Sequence, residues 1–271
     1  MSSILTNTGS MVALQTLKSV NKGLDKVQNE VSTGLKVATA KENSATWSIA
    51  STMKSDIASY TQLGESLASA SEMVGTARTA AEQVADALSQ IKSLVTQADG
   101  ADTDTLSKLQ ERVDALTDTI TSIATSTQTN GISLTSAAAT DVDVMVSIVR
   151  GGTGALAAEK FTVAAQDLET LGAALILTND ADDNLDAVDT LLDSANTAAS
   201  AFGAAQARIE AQSDFLSKQV DSLKGSVSAM VDADMEEASA RLTALQTQQQ
   251  LGIQALSIAN QAPQSVLSLF Q

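Results

Sequence analysis

Apolar residues recur along this chain at steps of three and four. Leu17, Val20, Leu24, Val27 and Val31 keep that rhythm, as do Leu106, Leu109, Val113, Leu116, Ile120 and Ile123. The longest run leads from Leu185, Val188, Leu192, Ala195, Ala199 and Phe202 through Ile209, Leu216, Val220, Leu223, Val227 and Met230. Gln206 and Ser213 are its polar members. A mean spacing of 3.5 lays apolar side chains in one stripe, and such a stripe must meet another helix. A straight helix over residues 185–230 would be about 70 Å long.

A second long helical pattern runs from about Ser44 to Ala98 through Met53, Ile57, Tyr60, Leu67, Val74, Val84, Leu88 and Ile91. "ADGADTDT" (98–105) interrupts it and offers Thr or Asp to cap the next helix. "TNGIS" (129–133) is expected to stop that helix, because Asn-Gly supplies positive φ at a helix end. Near Val227, Val231 and Met235 two steps of four follow one another, which predicts a stutter in the supercoil and a domain junction. The heptad resumes through Ala238, Leu242 and Leu245.

The period changes once. Val142, Val144, Val146 and Ile148 alternate with Asp143, Met145, Ser147 and Val149; "RGGTGA" then reads as a turn and "KFTVA" as a second strand. This predicts a β-hairpin. The fold class is mainly α: long antiparallel coiled-coil-like helices formed by paired amino- and carboxy-terminal segments, with a small β-hairpin insert. Three regions are expected. Residues 1–42 with 232–271 form a terminal helical hairpin, residues 43–137 with 183–231 a long-helix shell, and residues 138–182 a short outward insert.

Composition sharpens this picture. Aromatics are only 2% of 271 residues, so there are few large anchors for a thick core, and small side chains suit close-packed helices. The net charge of −16 speaks against nucleic acid and against an anionic membrane surface. No apolar run approaches the length of a membrane span, so no membrane insertion is expected. The amino-terminal "MSSILTNTGSMVALQTL" lacks a basic leader followed by an apolar core, which argues against a cleaved signal peptide.

Candidate chemistry is sparse. With no histidine and no cysteine, triads, thiol nucleophiles and His- or Cys-ligated metals are excluded. "NDADDNLDAVD" (179–189) places Asp180, Asp182 and Asn184 at EF-hand spacing, but Leu185 and Leu191 occupy the slots that need Gly and Glu. It reads as an acidic helix start. Glu236 and Glu237 read as a solvated face, and Trp47 and Tyr60 as packing residues. The expectation is no enzyme, no cofactor and no metal.

The two ends pose a common problem. No charged side chain occurs in residues 1–17 or from Leu242 to Gln271. Ile4, Leu5, Met11, Val12, Leu14 and Leu17 crowd the first end; Leu256, Ile258, Val266, Leu267, Leu269 and Phe270, around the single proline Pro263, crowd the last. Such helices would leave a large apolar patch exposed on a lone molecule, and burial between identical subunits resolves it.

Three stretches make the chain resemble a bacterial flagellin of the short type. "LSIANQAPQSVLSLFQ" is similar to the family's ending, with Ala259, Asn260, Gln261, Pro263, Gln264, Leu267, Leu269 and Phe270 in the matching slots. "VSTGLKVATAKENSATWSIA" (31–50) resembles the segment that joins the family's first two helices, and "LQERVDALTDTITSIATSTQTNGISL" (109–134) the close of its amino-terminal half. The resemblance covers about residues 1–137 and 184–271.

It implies a subunit that polymerises into the flagellar filament for swimming, with paired termini lining the inner tube, disordered in the monomer and ordered on assembly. It implies extracellular localisation after unfolded export by the flagellar type III route. The implied partners are other copies of the chain (a homopolymer), the export apparatus and a chaperone, and the filament cap and hook-junction proteins. The expected assembly interface comprises Leu5, Met11, Leu14, Leu17, Leu24, Val27 and Val31 with Leu242, Leu245, Leu256, Ile258, Asn260, Pro263, Val266, Leu267, Leu269 and Phe270. Alternatives are a hook–filament junction protein of the same superfamily and, from another class, a coiled-coil adaptor. Ile91 stands where an arginine is expected in flagellins that an innate-immune receptor recognises, so that patch departs from the pattern. The outer segment is a candidate for O-linked sugars on its Ser and Thr residues.

Overall fold

The computed structural model describes residues 7–98, 100–150, 156–172, 175, 177 and 181–267, without side chains at 150, 156, 181, 182 and 262–267. Its helices are α1 (Thr8–Thr33), α2 (Ser44–Ala98), α3 (Thr103–Ser126), α4 (Ala181–Val231) and α5 (Met235–Leu267). Strands β1 (Val142–Arg150) and β2 (Leu156–Val163) form an antiparallel pair. The chain is mainly α with a small β-hairpin, as the periodicity predicts. It divides into two compact units: residues 1–57 with 221–271, and residues 58–220.

The unit of residues 58–220 has a thin core of three helices. Leu67, Val74, Val84, Leu88, Ile91 and Val95 of α2 are buried with Val113 and Ile120 of α3 and with Val188, Phe202 and Ile209 of α4. Alanines fill much of the remainder, including Ala77, Ala81, Ala124, Ala195 and Ala198. Small residues let helices approach closely, which explains how a chain so poor in aromatics still buries a continuous core. Ile91 is wholly buried, so the surface at that level is formed by Gln90 and Lys92. An outward-facing arginine would have to belong to one of those neighbours.

Two sequence readings need correction in this unit. The seam of α4 passes through Ala198, Phe202, Ala205 and Ile209, so Gln206 lies at its edge and not in it. A helix of 3.6 residues per turn drifts from a 3.5 repeat, and Ala198 and Ala205 take over the buried slots. Gln206 instead accepts a hydrogen bond from Arg78 Nε (3.1 Å) and donates to Glu210 (3.0 Å). Asn130-Gly131 also does not end α3, which stops at Ser126. With φ of 53° and 79° these residues form a tight two-residue turn, and the amides of Thr129 and Ile132 each donate to the other's carbonyl.

The β-hairpin carries a bulge between Met145 and Ser147. Val144 and Val146 face the core while Met145 and Val149 are exposed. Tyr60 Oη donates to the Ile148 carbonyl (3.1 Å), and the Arg208 guanidinium lies 4.0 Å from the centroid of the Phe161 ring. These contacts fasten each strand to a long helix. "RGGTGA" beyond Arg150, and Asp180 with the side chain of Asp182, lie outside the described residues.

In the unit of residues 1–57 with 221–271, a small core of Val37, Ala50, Val227 and Val231 holds the polypeptide that joins α1 to α2. Lys36 N donates to the Val231 carbonyl (2.7 Å) and Ala233 N to the Gly34 carbonyl (2.9 Å). The register slip near Val231 is therefore a true helix break and not a stutter. Leu35 pairs with Asp232 as an isolated β-bridge through these two bonds, while the Asp232 amide keeps its helical bond to the Ser228 carbonyl (2.9 Å). Asp234 then caps α5 by accepting from the amides of Glu236 (3.0 Å) and Glu237 (3.2 Å).

Candidate assembly site in the terminal helical hairpin

Helix α1 starts where Asn7 turns its side-chain oxygen onto the Ser10 amide (3.1 Å) and ends where Gly34 takes φ of 70° and donates to the Glu30 carbonyl. Left-handed backbone of this kind closes a helix and strongly favours glycine. Helix α5 opens on Glu236 and Glu237, whose charges suit the positive end of the helix dipole. The two helices pack antiparallel along most of their length.

Their seam follows a heptad on both sides. Ser10, Ala13, Leu17, Val20, Leu24, Val27 and Val31 of α1 are buried or half-buried, as are Ala238, Leu242, Leu245, Gln249, Gly252, Leu256 and Ala259 of α5. Leucines sit over two glycines of this seam, tightly at Gly252 and at ordinary contact distance at Gly23. A Cβ built on Gly252 would lie 3.2 Å from Leu17 Cδ1, and one built on Gly23 would lie 3.5 Å from Leu245 Cδ2.

Polar pairs fix the register. Gln249 Nε2 donates to Asn21 Oδ1 (2.8 Å), Asn7 Nδ2 to the Ala259 carbonyl (2.7 Å) and Ser10 Oγ to Asn260 Oδ1 (2.8 Å). Glu30, buried at the other end of α1, lies 3.6 Å from Lys26 Nζ.

The seam accounts for only part of the apolar surface. Met11, Val12 and Leu14 of α1 and Leu251, Ile253 and Ile258 of α5 are each more than half exposed. They lie on the charge-free stretches: the first charged residue of α1 is Lys18, and the last of α5 is Arg241. No ion pair or mixed charge breaks up this surface, which is unusual for a molecule meant to remain alone.

Residues 4–140 match the family model described as the bacterial flagellin N-terminal helical region, and residues 185–270 match that of the bacterial flagellin C-terminal helical region. The chain belongs to the bacterial flagellin family. A flagellin of Brucella melitensis is 40% identical across 100% of both chains, and flagellin FljK of Caulobacter vibrioides is 34% identical across 100% of this chain and 99% of its own. A crystal structure of Bacillus cereus flagellin is 22% identical, covers 55% of this chain and 86% of that one, and has a TM-score of 0.47. This flagellin is a structural subunit of the flagellar filament, and that filament is extracellular. No helix among its described residues is long and apolar enough to cross a membrane.

The structure sorts the expected interface residues of this flagellin into two groups. Leu17, Leu24, Val27, Val31, Leu242, Leu245 and Leu256 lie in the seam between its own two helices. Met11, Leu14 and Ile258 point away from it, and Asn260 is exposed while bonded to Ser10. Leu5, Leu269 and Phe270, and the side chains of Pro263, Val266 and Leu267, lie outside the described residues. Val12, named above among the apolar residues of the first end, belongs with the exposed group, as do Leu251 and Ile253, which the sequence reading did not name. Their signal was present: each is apolar, on a charge-free arm, and off the heptad.

Proposed function

We propose that copies of this flagellin assemble by closing around the outward face of the terminal hairpin. The observation that carries this reading is the charge-free apolar surface of Met11, Val12, Leu14, Leu251, Ile253 and Ile258 beside a seam that is already filled. Full burial of one such side chain is worth about 1.5–3 kcal/mol. Ordering a backbone residue costs about 1–2 kcal/mol, so the hairpin alone is a poor bargain and the filament a good one. On this reading the terminal arms are loosely held in the free subunit and become ordered as neighbours cover them. The seam residues then act by joining α1 to α5, and the exposed residues by joining copies.

The same reading covers the route to the filament. The chain travels unfolded through the flagellar export apparatus, with a chaperone shielding its apolar arms, and adds between the cap and the hook-junction proteins. A chain without cysteine forms no disulfide on the way.

The test is seeded elongation of the full chain with Met11, Leu14 and Ile258 all changed to Ser. Elongation from wild-type filament fragments should be lost while the melting of residues 58–220 is unchanged. Normal elongation by this variant overturns the proposal.

A further inference from the structure

Charge is distributed very unevenly along this chain. Residues 58–220 hold 8 Lys and Arg against 23 Asp and Glu, a net −15, so they account for nearly all of the total −16. Residues 1–57 carry the opposite sign: six Lys against four Asp and Glu, a net +2.

Those lysines are not neutralised locally. Lys18, Lys22, Lys36, Lys41 and Lys54 are exposed, and none has an ion pair among the described residues. Lys18, Lys22 and Lys26 succeed one another every four residues, which aligns them on one face of α1. Between α1 and the 38–42 loop lies a concavity of 860 Å3, with Lys22, Lys26 and Lys41 in its lining. Two carboxylates also line it, Asp25 and Glu42. Glu42 is engaged, accepting from the amides of Ala38 (2.7 Å) and Thr39 (3.1 Å), which shapes the loop.

We propose that this lysine-rimmed concavity docks the acidic surface of residues 58–220 of a second copy of the chain. The inference rests on the filament reading above and specifies a contact within it. Copies held side by side bring surfaces of −15 together, and each carries a small cationic surface that can relieve the repulsion. The two patches differ, so the contact is heterologous: it leaves one of each free on every added copy and repeats without closing. Such charge complementarity sets register and speeds addition more than it adds affinity.

The experiment joins two measurements. Filaments are grown from equal amounts of 15N-labelled and unlabelled full-length chain, then treated with a zero-length carbodiimide cross-linker and analysed by mass spectrometry. Mixed heavy–light links from Lys22 or Lys41 to carboxylates of residues 58–220 are expected. Links only within a copy, or mixed links from these lysines only to residues 221–271, overturn the proposal.

In parallel, the full-length double variant Lys22→Glu/Lys41→Glu is added to wild-type seeds. Its elongation should be slowed about tenfold at low salt and approach wild type at high salt. Lys22→Gln/Lys41→Gln, which removes the charge without reversing it, should show a smaller slowing of the same sign and serves if the reversal misfolds. Unchanged low-salt elongation by a folded variant overturns the proposal. If the wild-type chain itself fails to elongate, the filament reading falls and this contact with it. Wild-type growth without the mixed lysine links rejects the contact alone.

Discussion

Leu17 lies across Gly252: a Cβ on that glycine would stand 3.2 Å from Leu17 Cδ1. Glycine weakens a helix interior by about 1 kcal/mol, so its presence in α5 needs a reason, and the passing leucine supplies one. Replacing Gly252 by Val places branched bulk where Leu17 sits and should cost about 1–3 kcal/mol through overpacking. Filaments of the variant should depolymerise at a lower temperature than wild type, while the free subunit's main melting transition stays in place. An unchanged depolymerisation temperature would show that the helices are not held at this separation.

Asn21 and Gln249 form a part-buried hydrogen bond beside the apolar seam of α1 and α5. Changing Asn21 alone to Leu leaves the part-buried Gln249 amide without its partner, a loss of about 0.5–1.5 kcal/mol. Changing both to Leu should restore much of that stability while loosening the register, as buried polar pairs in coiled coils commonly specify alignment. A double-mutant cycle on filament melting reads the coupling energy. Additive losses would mean that the two side chains act independently.

Leu88 is wholly buried in the core of residues 58–220. Leu88→Ala should destabilise the free subunit by about 2–5 kcal/mol, readable by thermal or denaturant melting. This behaviour contrasts with that of the exposed hairpin residues, whose substitution should register in elongation and not in subunit melting. Equal effects of Leu88→Ala and Leu14→Ser on the free subunit would contradict that division.

Two aspartates give the free subunit an acid-sensitive component. Asp102 is held below the usual carboxylate range by hydrogen bonds from Thr105, and Asp143 by the Thr162 hydroxyl and then by the charge of Lys160. A folded value below the unfolded one means that stability is fully present above the unfolded value, about 3.9, and is lost as pH falls through the folded value. The Asp102→Asn/Asp143→Asn variant should therefore lose less melting temperature than wild type between about pH 5 and pH 2. Parallel curves would remove these two groups from the account.

The net −15 of residues 58–220 makes neighbouring copies repel one another. At an ionic strength of about 0.15 M the screening length is about 8 Å, so added salt should speed seeded elongation of the wild-type chain. The few exposed lysines of residues 1–57 offset only part of this repulsion. Elongation rates measured across a salt series test the sign directly, and growth indifferent to salt would count against an electrostatic barrier.

The long helices, the hairpin of strands and the uncharged ends were legible in the sequence because their causes are local. A 3.5-residue apolar repeat makes a helical stripe wherever it occurs, and the alternation from Val142 to Ile148 makes a strand. Membership of the flagellin family was likewise readable, since it is carried by contiguous stretches at both ends of the chain.

Which terminal apolar residues face inward was decided only by tertiary structure. Met11, Leu14 and Ile258 are as apolar as Leu17 and Leu256, and their place off the heptad does not by itself say which residues an opposing helix covers. The antiparallel register that sets Leu17 against Gly252 and Asn21 against Gln249 does separate them. The break between α4 and α5 has the same origin: Gly34 and Lys36, remote in sequence, take the Ala233 amide and the Val231 carbonyl that a continuous helix would pair within itself. A helix period is a property of a segment, but a seam is a property of two segments, and one chain's pattern does not contain the alignment of the pair.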